Sequence, residues 1–414
     1  MQNQTIIKPR YKNIPHIGII PEDWEVKNLG EMGKFYRGHS YNSTNVVEDG
    51  LLVLRSSNIK NGKLILDKDL QFVNNECNTN IKLKNQDLVI CMANGSKNLV
   101  GKTAQYKGNY NKPITVGAFC SIFRMTNTYS KNLFNSPKYK EYLYVLLAGT
   151  NINNLKTTNL EKLKFAIPKS FQEQQKIGKI LNTCDSQIET TKQIIQKIEL
   201  RNKGLQQQLL TGRKRLPGFT EEWNELPLSK CLNYEPRGIP KPTENYLSLG
   251  IRSHGKGIFH KPNSNPKDIA MEELFVVKEH DLVINITFAW EQAIAIASKE
   301  DEGGLVSHRF PTYTFKRDKA IHEYFKYLII QKYFKYKLDL ISPGGAGRNR
   351  VLSKREFLKM KVIIPKVEEQ KAIANVLEKA NEQLNEYKEK LEKLEIQKKG
   401  LMQNLLTGKI RVKL

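Results

Sequence analysis

EQQKIGKILNTCDSQIETTKQIIQKIELRNKGLQQQLLTGR, residues Glu173 to Arg213, returns 196 residues later as EQKAIANVLEKANEQLNEYKEKLEKLEIQKKGLMQNLLTGK, residues Glu369 to Lys409, with no gap between the copies. Identical residues recur throughout: Glu173-Gln174, Ile177, Leu181, Gln187, Lys192, Lys197, Glu199, Lys203-Gly204-Leu205, Gln207 and the closing Leu-Leu-Thr-Gly. A segment of this length occurring twice marks a duplicated unit, not a shared composition.

Both copies read as helix. In the first, Leu181, Cys184, Ile188, Thr191, Ile195, Ile198, Asn202, Leu205 and Leu209 fall at alternating spacings of three and four. In the second, Leu377, Ala380, Leu384, Tyr387, Leu391, Leu394, Lys398, Leu401 and Leu405 hold the same phase. Sustained over four heptads without a proline, this is a coiled-coil seam. Each helix stops at a glycine followed by basic residues, Gly212 and Gly408. At the α-helical rise each would be a rod of about 57 Å. The first carries the chain from one segment to the next and the second carries it onward. If the seams pair, they must therefore run antiparallel. Asn202 and Lys398 are polar entries in the seam; they either fix its register or face solvent near its end.

The segments before the helices also repeat. Pro21-Glu22-Asp23-Trp24-Glu25 opens the first and Glu221-Glu222-Trp223-Asn224-Glu225 the second. Asp87-Leu88-Val89-Ile90 matches Asp281-Leu282-Val283-Ile284, a strand entered from an acidic turn. Residues 163–169 match 360–366, a strand ended by proline just before each helix. Between these landmarks, strands expected at Leu51–Leu54, Ile114–Met125, Tyr246–Ile251 and Phe310–Phe315 alternate with helices at Tyr139–Leu147 and Glu323–Leu340. The fold class is α+β: globular segments at 1–168 and 214–365, helical regions at 169–213 and 366–414, and a pseudo-two-fold repeat.

The formal net charge is +25. About +12 falls on the first globular segment and about +7 on the second, against roughly +3 and +1 on the helices. A basic footprint confined to the globules points to a polyanionic partner. No apolar run reaches the length of a membrane span and no leader peptide is legible, so membrane binding is not expected. Cys77, Cys91, Cys120, Cys184 and Cys231 have no paired spacing, which fits a reducing, cytoplasmic setting without disulfides. His254 and His260 lack the partners of a zinc site, so no metal is expected. Neither a phosphate-binding Gly-x-x-x-x-Gly-Lys-Ser/Thr loop nor the Asn/Asp-Pro-Pro-Phe/Tyr run of amino-methyltransferases is present. Gly344, Gly345 and Gly347 lead into Arg348-Asn349-Arg350 instead.

Taken together, these features resemble the specificity subunit of type I restriction–modification systems over nearly the whole chain. The resemblance rests on the proline-ended strand before Glu173-Gln174 and Glu369-Gln370, on Ile177 with Leu181 and Ile373 with Leu377, on the Leu-Leu-Thr-Gly ends and on the opening Pro-Glu-Asp-Trp-Glu. Two departures stand out. The first copy has one extra residue between Pro168 and its Glu-Gln pair, and Asp185 is replaced by Asn381 in the second. The resemblance implies that each globule is a target-recognition domain reading one half of a split double-stranded DNA sequence. The coiled coil would fix the gap, its seam formed by Leu181, Ile188, Ile195, Ile198, Leu205 and Leu209 with Leu377, Leu384, Leu391, Leu394, Leu401 and Leu405. It further implies docking of two modification (methyltransferase) subunits, which restriction subunits can join. S-adenosylmethionine, ATP and Mg would belong to those partners, leaving this chain without catalytic activity or cofactor.

Base-reading positions in such domains vary, so the DNA-binding candidates are chosen by chemistry: Arg, Lys, Asn, Ser or His in loops near glycine. In the first globule these are Arg55, Ser57, Asn58, Lys60, Asn94, Ser96, Lys97 and Lys102. In the second they are Arg252, His254, Lys256, His260, Lys261, Arg309, Arg348, Asn349 and Arg350. Arginine can grip guanine and asparagine adenine through paired hydrogen bonds. The rival reading from another class is a coiled-coil scaffold bridging two protein partners without DNA. A steep loss of binding with salt would separate the two.

Overall fold

The repeated Glu-Gln pair explains how each long helix begins. The structure, a computed structural model, describes residues 10–74, 77–127, 129–148, 153–344 and 350–414. The first long helix spans Phe171–Leu209 and the second Val367–Leu405, 39 residues each. Gln174 Nε2 donates to the carbonyl of Pro168 at 2.7 Å, and Gln370 Nε2 to that of Pro365 at 2.9 Å. In each copy the amide bridges the end of the strand to the start of the helix, where backbone groups lack helical partners. Its other end is also occupied: Asn127 Nδ2 donates to Gln174 Oε1, and the Ile321 N–H to Gln370 Oε1. At the far ends Gly212 and Gly408 take positive φ, 67° and 72°. This left-handed turn lets the Lys214 and Ile410 N–H groups reach back to the carbonyls of Gln208 and Asn404.

By packing, the chain divides into two units, one holding Met1–Lys192 with Glu389–Leu414 and the other Gln193–Lys388. Each unit contains half of each long helix. Within the first, Lys398 pairs with Asp185 at 2.5 Å and Lys192 with Glu395 at 2.7 Å. Within the second, Lys388 pairs with Glu199 at 3.2 Å, and the buried Asn202 donates Nδ2 to the Ala380 carbonyl at 2.7 Å. Numbers rise on one helix as they fall on the other. The two polar seam positions thus have partners, in place of facing solvent at a frayed end. Leu181, Ile195, Ile198, Leu209, Leu377 and Leu405 are buried; Ile188, Leu205, Leu384, Leu391, Leu394 and Leu401 are half-buried.

In the first unit β1 (Trp24–Asn28) pairs antiparallel with the proline-ended strand Lys164–Pro168. The frame continues with β2 (Gly33–Arg37), β3 (Val46–Val47), β4 (Leu51–Leu54), β5 (Phe72–Val73), β6 (Leu88–Cys91), β7 (Thr103–Gln105), β8 (Ile114–Val116) and β9 (Cys120–Met125). One sheet runs β7-β6-β9-β2, and a second runs β8-β4-β5-β3 with β8 parallel to β4. The expected strand from Ile114 to Met125 is therefore two strands in two sheets. They part at Gly117, whose carbonyl lies so near Gly38 that a Cβ there would sit 2.1 Å away.

The second unit repeats the plan with β10 (Asn224–Pro227) paired to Lys361–Ile364. It adds β11 (Leu232–Tyr234), β12 (Gly238–Pro240), β13 (Tyr246–Ile251), β14 (Ile258–Ser264), β15 (Glu273–Val276), β16 (Leu282–Ile284), β17 (Ile294–Ile296), β18 (Leu305–Val306) and β19 (Thr312–Phe315). The sheets run β11-β19-β16-β17 and β12-β15-β18-β13-β14, with β18 parallel to β13. The helix expected over Glu323–Leu340 is two helices, His322–Leu328 and Lys332–Leu340. At the break, Gln292 Nε2 donates to the Ile329 carbonyl at 2.8 Å and to the Gln331 carbonyl at 3.3 Å, a tertiary contact that takes up the freed groups.

Candidate nucleic-acid interface

Each frame enters its central strand through a buried aspartate. Asp87 accepts the Lys84 N–H at 2.8 Å and two bonds from Arg124, at 2.9 and 2.7 Å. Asp281 accepts the Lys278 N–H at 2.8 Å and two bonds from Arg237, at 2.5 and 3.1 Å. Such paired, charge-assisted bonds hold the turn rigid. The strand then delivers the chain to a loop at the opposite end, residues 92–100 in the first unit and 285–292 in the second.

A second element meets each loop. β4 and β13 both run into Arg-Ser, Arg55-Ser56 and Arg252-Ser253. Asn94 Nδ2 donates to Ser56 Oγ at 3.1 Å, and Ser253 Oγ donates to Glu291 Oε2 at 2.6 Å. A third element closes the edge: the Met92 N–H donates to the Phe119 carbonyl at 2.8 Å, and the Ile286 N–H to that of Arg309 at 3.0 Å. Two unlike sequences thus bring three loops together by equivalent contacts.

In the first unit Ser57, Lys60, Ser96 and Lys97 are exposed, as is Arg55, whose Nη2 donates to the Asp69 carbonyl at 3.1 Å. Asn94 is half-buried; its Oδ1 accepts the Ser96 N–H at 3.0 Å. Lys102 is half-buried too. Asn58 is 1% exposed, with Nδ2 turned toward the carbonyls of Ile65, Lys68 and Asp69 and Oδ1 accepting the Arg55 N–H. Contrary to its choice as a surface reader, it organises the loop from within, because a buried amide needs those partners.

In the second unit Arg252 donates Nη1 to the Ile258 carbonyl at 3.1 Å and lies 5.1 Å from the centre of the Phe259 ring. Lys261 approaches that ring at 5.5 Å. His254 and Lys256 are exposed on a tight turn, His254 with φ of 64°. His260 Nε2 lies 2.8 Å from Asp301 Oδ1. Exposed Arg309 donates Nη1 to Thr287 Oγ1 at 3.2 Å. Arg350 is held by Asp339 Oδ1 at 2.6 Å and the Ser342 carbonyl at 3.1 Å, with its guanidinium 5.0 Å from the Trp290 ring centre. Arg348 and Asn349 lie outside the described residues. The structure therefore gathers His254, Arg309 and Arg350 around loop 285–292.

Sequence reasoning missed Ser56, Ser253, loop 285–292 and Phe119. The Arg-Ser doublet after an apolar strand in both copies would have flagged the serines. Phe119 is 69% exposed and takes the place of Arg309. No polarity rule selects it, yet an exposed phenylalanine can meet a thymine methyl or wedge into a base step. The five cysteines are all free and buried; burial pushes the Cys120 thiol up to about 12, so it is no nucleophile at neutral pH. Among the described residues no cluster of three or more His, Cys, Asp or Glu could hold a metal ion, and no helix is long and apolar enough to cross a membrane.

The sequence profile of the type I restriction modification DNA specificity domain matches residues 21–200 and 245–396. The type I restriction enzyme MjaVIII specificity subunit of Methanocaldococcus jannaschii is 25% identical over 432 residues, covering 95% of this chain and 94% of that protein. The type I restriction enzyme EcoKI specificity subunit of Escherichia coli K12 is 29% identical over 257 residues, 60% of this chain and 52% of that one. The crystal structure of the type I restriction–modification S subunit from M. genitalium shares the fold with a TM-score of 0.56 at 13% identity, over 99% of this chain and all of that one. That of the HsdS subunit from Thermoanaerobacter tengcongensis gives 0.50 at 14%, over 94% and 98%. Matched along both of its α+β frames and both long helices, the chain belongs to the type I restriction–modification specificity family and is a DNA sequence-specificity subunit.

Proposed function

We propose that each unit reads one half of a bipartite DNA target, with recognition domains at 1–168 and 214–365 and helical regions at 169–213 and 366–414. The observation that carries this reading is the pairing of equivalent three-loop edges with unlike side chains. Asn94, Phe119 and Lys97 line one edge; Glu291, Arg309 and Arg350 line the other. Lysines and arginines around them supply phosphate contacts, and the base-edge groups differ, so two half-sites of different sequence are expected. A scaffold without DNA is not favoured, since a bridging protein has no need of two basic faces on one frame.

The two long helices pair as an antiparallel coiled coil with pseudo-two-fold symmetry, and their length sets the gap between half-sites. Linking two weak readers raises affinity only when their spacing matches the target. Seven-residue insertions after both Lys192 and Lys388 keep the heptad phase and lengthen the helices by about 10 Å, close to three base pairs. Methylome sequencing should then return both half-sites unchanged with a longer gap. An unchanged gap would refute the ruler.

The chain works in the cytoplasm with two modification subunits, which restriction subunits can join. It carries no catalytic activity and no metal or cofactor of its own; S-adenosylmethionine, ATP and Mg belong to the partners. Matched positions on the helices support two equivalent docking faces. Leu200 and Ile396 are exposed at 73% and 63%, apolar residues a helix would not normally show to water. One turn on, Gly204 and Gly400 have open space where a Cβ would stand, so neither glycine is required by the chain's own packing. An apolar knob beside a glycine gap, present in each copy, suits the close approach of a partner helix.

A further inference from the structure

The second unit contains a cavity of about 430 Å³ beneath its reading edge. This lies in the range of sites for small planar ligands, about 300–1,000 Å³. Four of its walls are aromatic: Tyr246, Phe259, Phe288 and Phe310. Phe259 is laid flat against β13 because the neighbouring residue is Gly250, where a Cβ would come within 2.3 Å of the ring. The cationic groups of Arg252 and Lys261 both lie close to that ring, so the wall is preformed.

Polar side chains also enter the lining. Asn285 lines the cavity and is 8% exposed; its Oδ1 accepts the Thr287 N–H at 3.0 Å, which leaves the Nδ2 amide as the donor end of the side chain. Glu291, also in the lining, accepts from Ser253 and has a carboxylate able to accept from an amine. Exposed Lys261 completes the rim and Arg309 stands two residues from Ser307 in its wall.

We infer that this cavity receives a single nucleobase swung out of the bound DNA. Flat apolar faces against aromatic rings, one amide donor and one carboxylate acceptor on its edge, and cations at the mouth for the flanking phosphates match the chemistry of an unstacked base. The inference rests on the DNA-reading function and adds a second mode of recognition within the second half-site: a base selected by extrusion as well as by groove contacts.

The test uses the full chain with its modification subunits and a duplex carrying the target obtained by methylated-adenine mapping. 2-Aminopurine replaces each base of the half-site read by the second unit in turn, the methylated adenine excepted. At one position fluorescence should rise by roughly several-fold on binding, as unstacking relieves quenching. Met271→Trp, which fills the cavity, and Phe288→Ala, which removes a wall, should each abolish that rise; circular dichroism melts confirm that at least one variant folds. Specific binding with no rise at any position, or a rise that persists in the folded variants, overturns the inference while leaving the DNA reading intact. Absence of any salt-dependent duplex binding overturns the DNA reading and the inference with it. A parallel titration with free adenosine, guanosine, cytidine and thymidine separates the sources. Saturable binding of a free nucleoside without a duplex signal would assign the cavity to a small molecule and overturn extrusion.

Discussion

Asp87 is gripped by Arg124, 37 residues further along the chain, whereas Asp281 is gripped by Arg237, 44 residues earlier. The carboxylate is the same in both frames and so is its place before the central strand, but its cation comes from different elements: Arg124 from β9, and Arg237 from the connection between β11 and β12. The edges differ in another way. Where the first unit exposes Phe119, the second exposes Arg309 on an equivalent backbone bond. The comparison separates two pressures. A buried carboxylate must be paired, and any arginine that reaches it will do. A reading edge has no such internal requirement, so its side chains are free to differ.

The hardest way to break the comparison is to remove both cations. Arg124→Ala and Arg237→Ala each strand a carboxylate that is 2% exposed. Each should lower stability by about 2–4 kcal/mol, somewhat under the range for a fully buried pair because both arginines are partly wet. Chemical denaturation measures it. Similar losses are expected in the two units; a loss in only one would show that the frames are not held alike.

The reading edges should respond independently. Arg309→Ala is expected to relax the half-site of the second unit, and Phe119→Ala that of the first, by about 1–3 kcal/mol at the affected base pair. Methylome sequencing of each variant reads both half-sites at once. Loss of the same half-site in both variants would contradict the division of labour.

A smaller effect separates self-stability from docking. Gly204→Ala and Gly400→Ala fill open space in helix interiors, and each should stabilise the isolated chain by about 0.5–1 kcal/mol. If partner helices approach there, the same substitutions weaken assembly with modification subunits, measurable by analytical ultracentrifugation. Stabilisation without any change in assembly would remove these positions from the docking face.

The smallest difference concerns acid. Glu173 and Asp23 share Arg411, while Arg215 donates to Glu369 and to the Glu221 backbone carbonyl, and the Trp223 indole N–H also donates to Glu369. Hydrogen bonding to Arg411 holds the Asp23 carboxyl below its ordinary value. A depressed carboxyl contributes stability above its unfolded value, about 3.9, and loses it as pH falls through the lower folded value. Hydrogen-exchange protection in the C-terminal segment around Arg411, taken relative to the intrinsic rate at each pH, should therefore fall below about pH 4, and Asp23→Asn removes the dependence. The segment around Arg215, which has one carboxylate in that grip, should show less of it.

Much of this was legible in the residues. The 196-residue repeat and its three-four spacing marked both long helices to within a few residues, because helical periodicity is local. The Asp-entered strands at 88–91 and 282–284 were legible for the same reason. Asn58 was not: its composition suits a reader, and only the fold turns it inward toward three carbonyls. Nor was Phe119, which no rule about polar loops would choose.

Sequence alone, then, determined that there are two copies, where their helices start and stop, and which residues repeat, since each depends on neighbours within a few turns or on direct comparison of the copies. Tertiary structure decided which arginine meets each aspartate, that residues 329–331 break a helix to take Gln292, and which side chains reach the reading edge. Those outcomes depend on segments tens of residues apart competing for the same space and the same hydrogen bonds, and spacing along the chain carries no record of that competition.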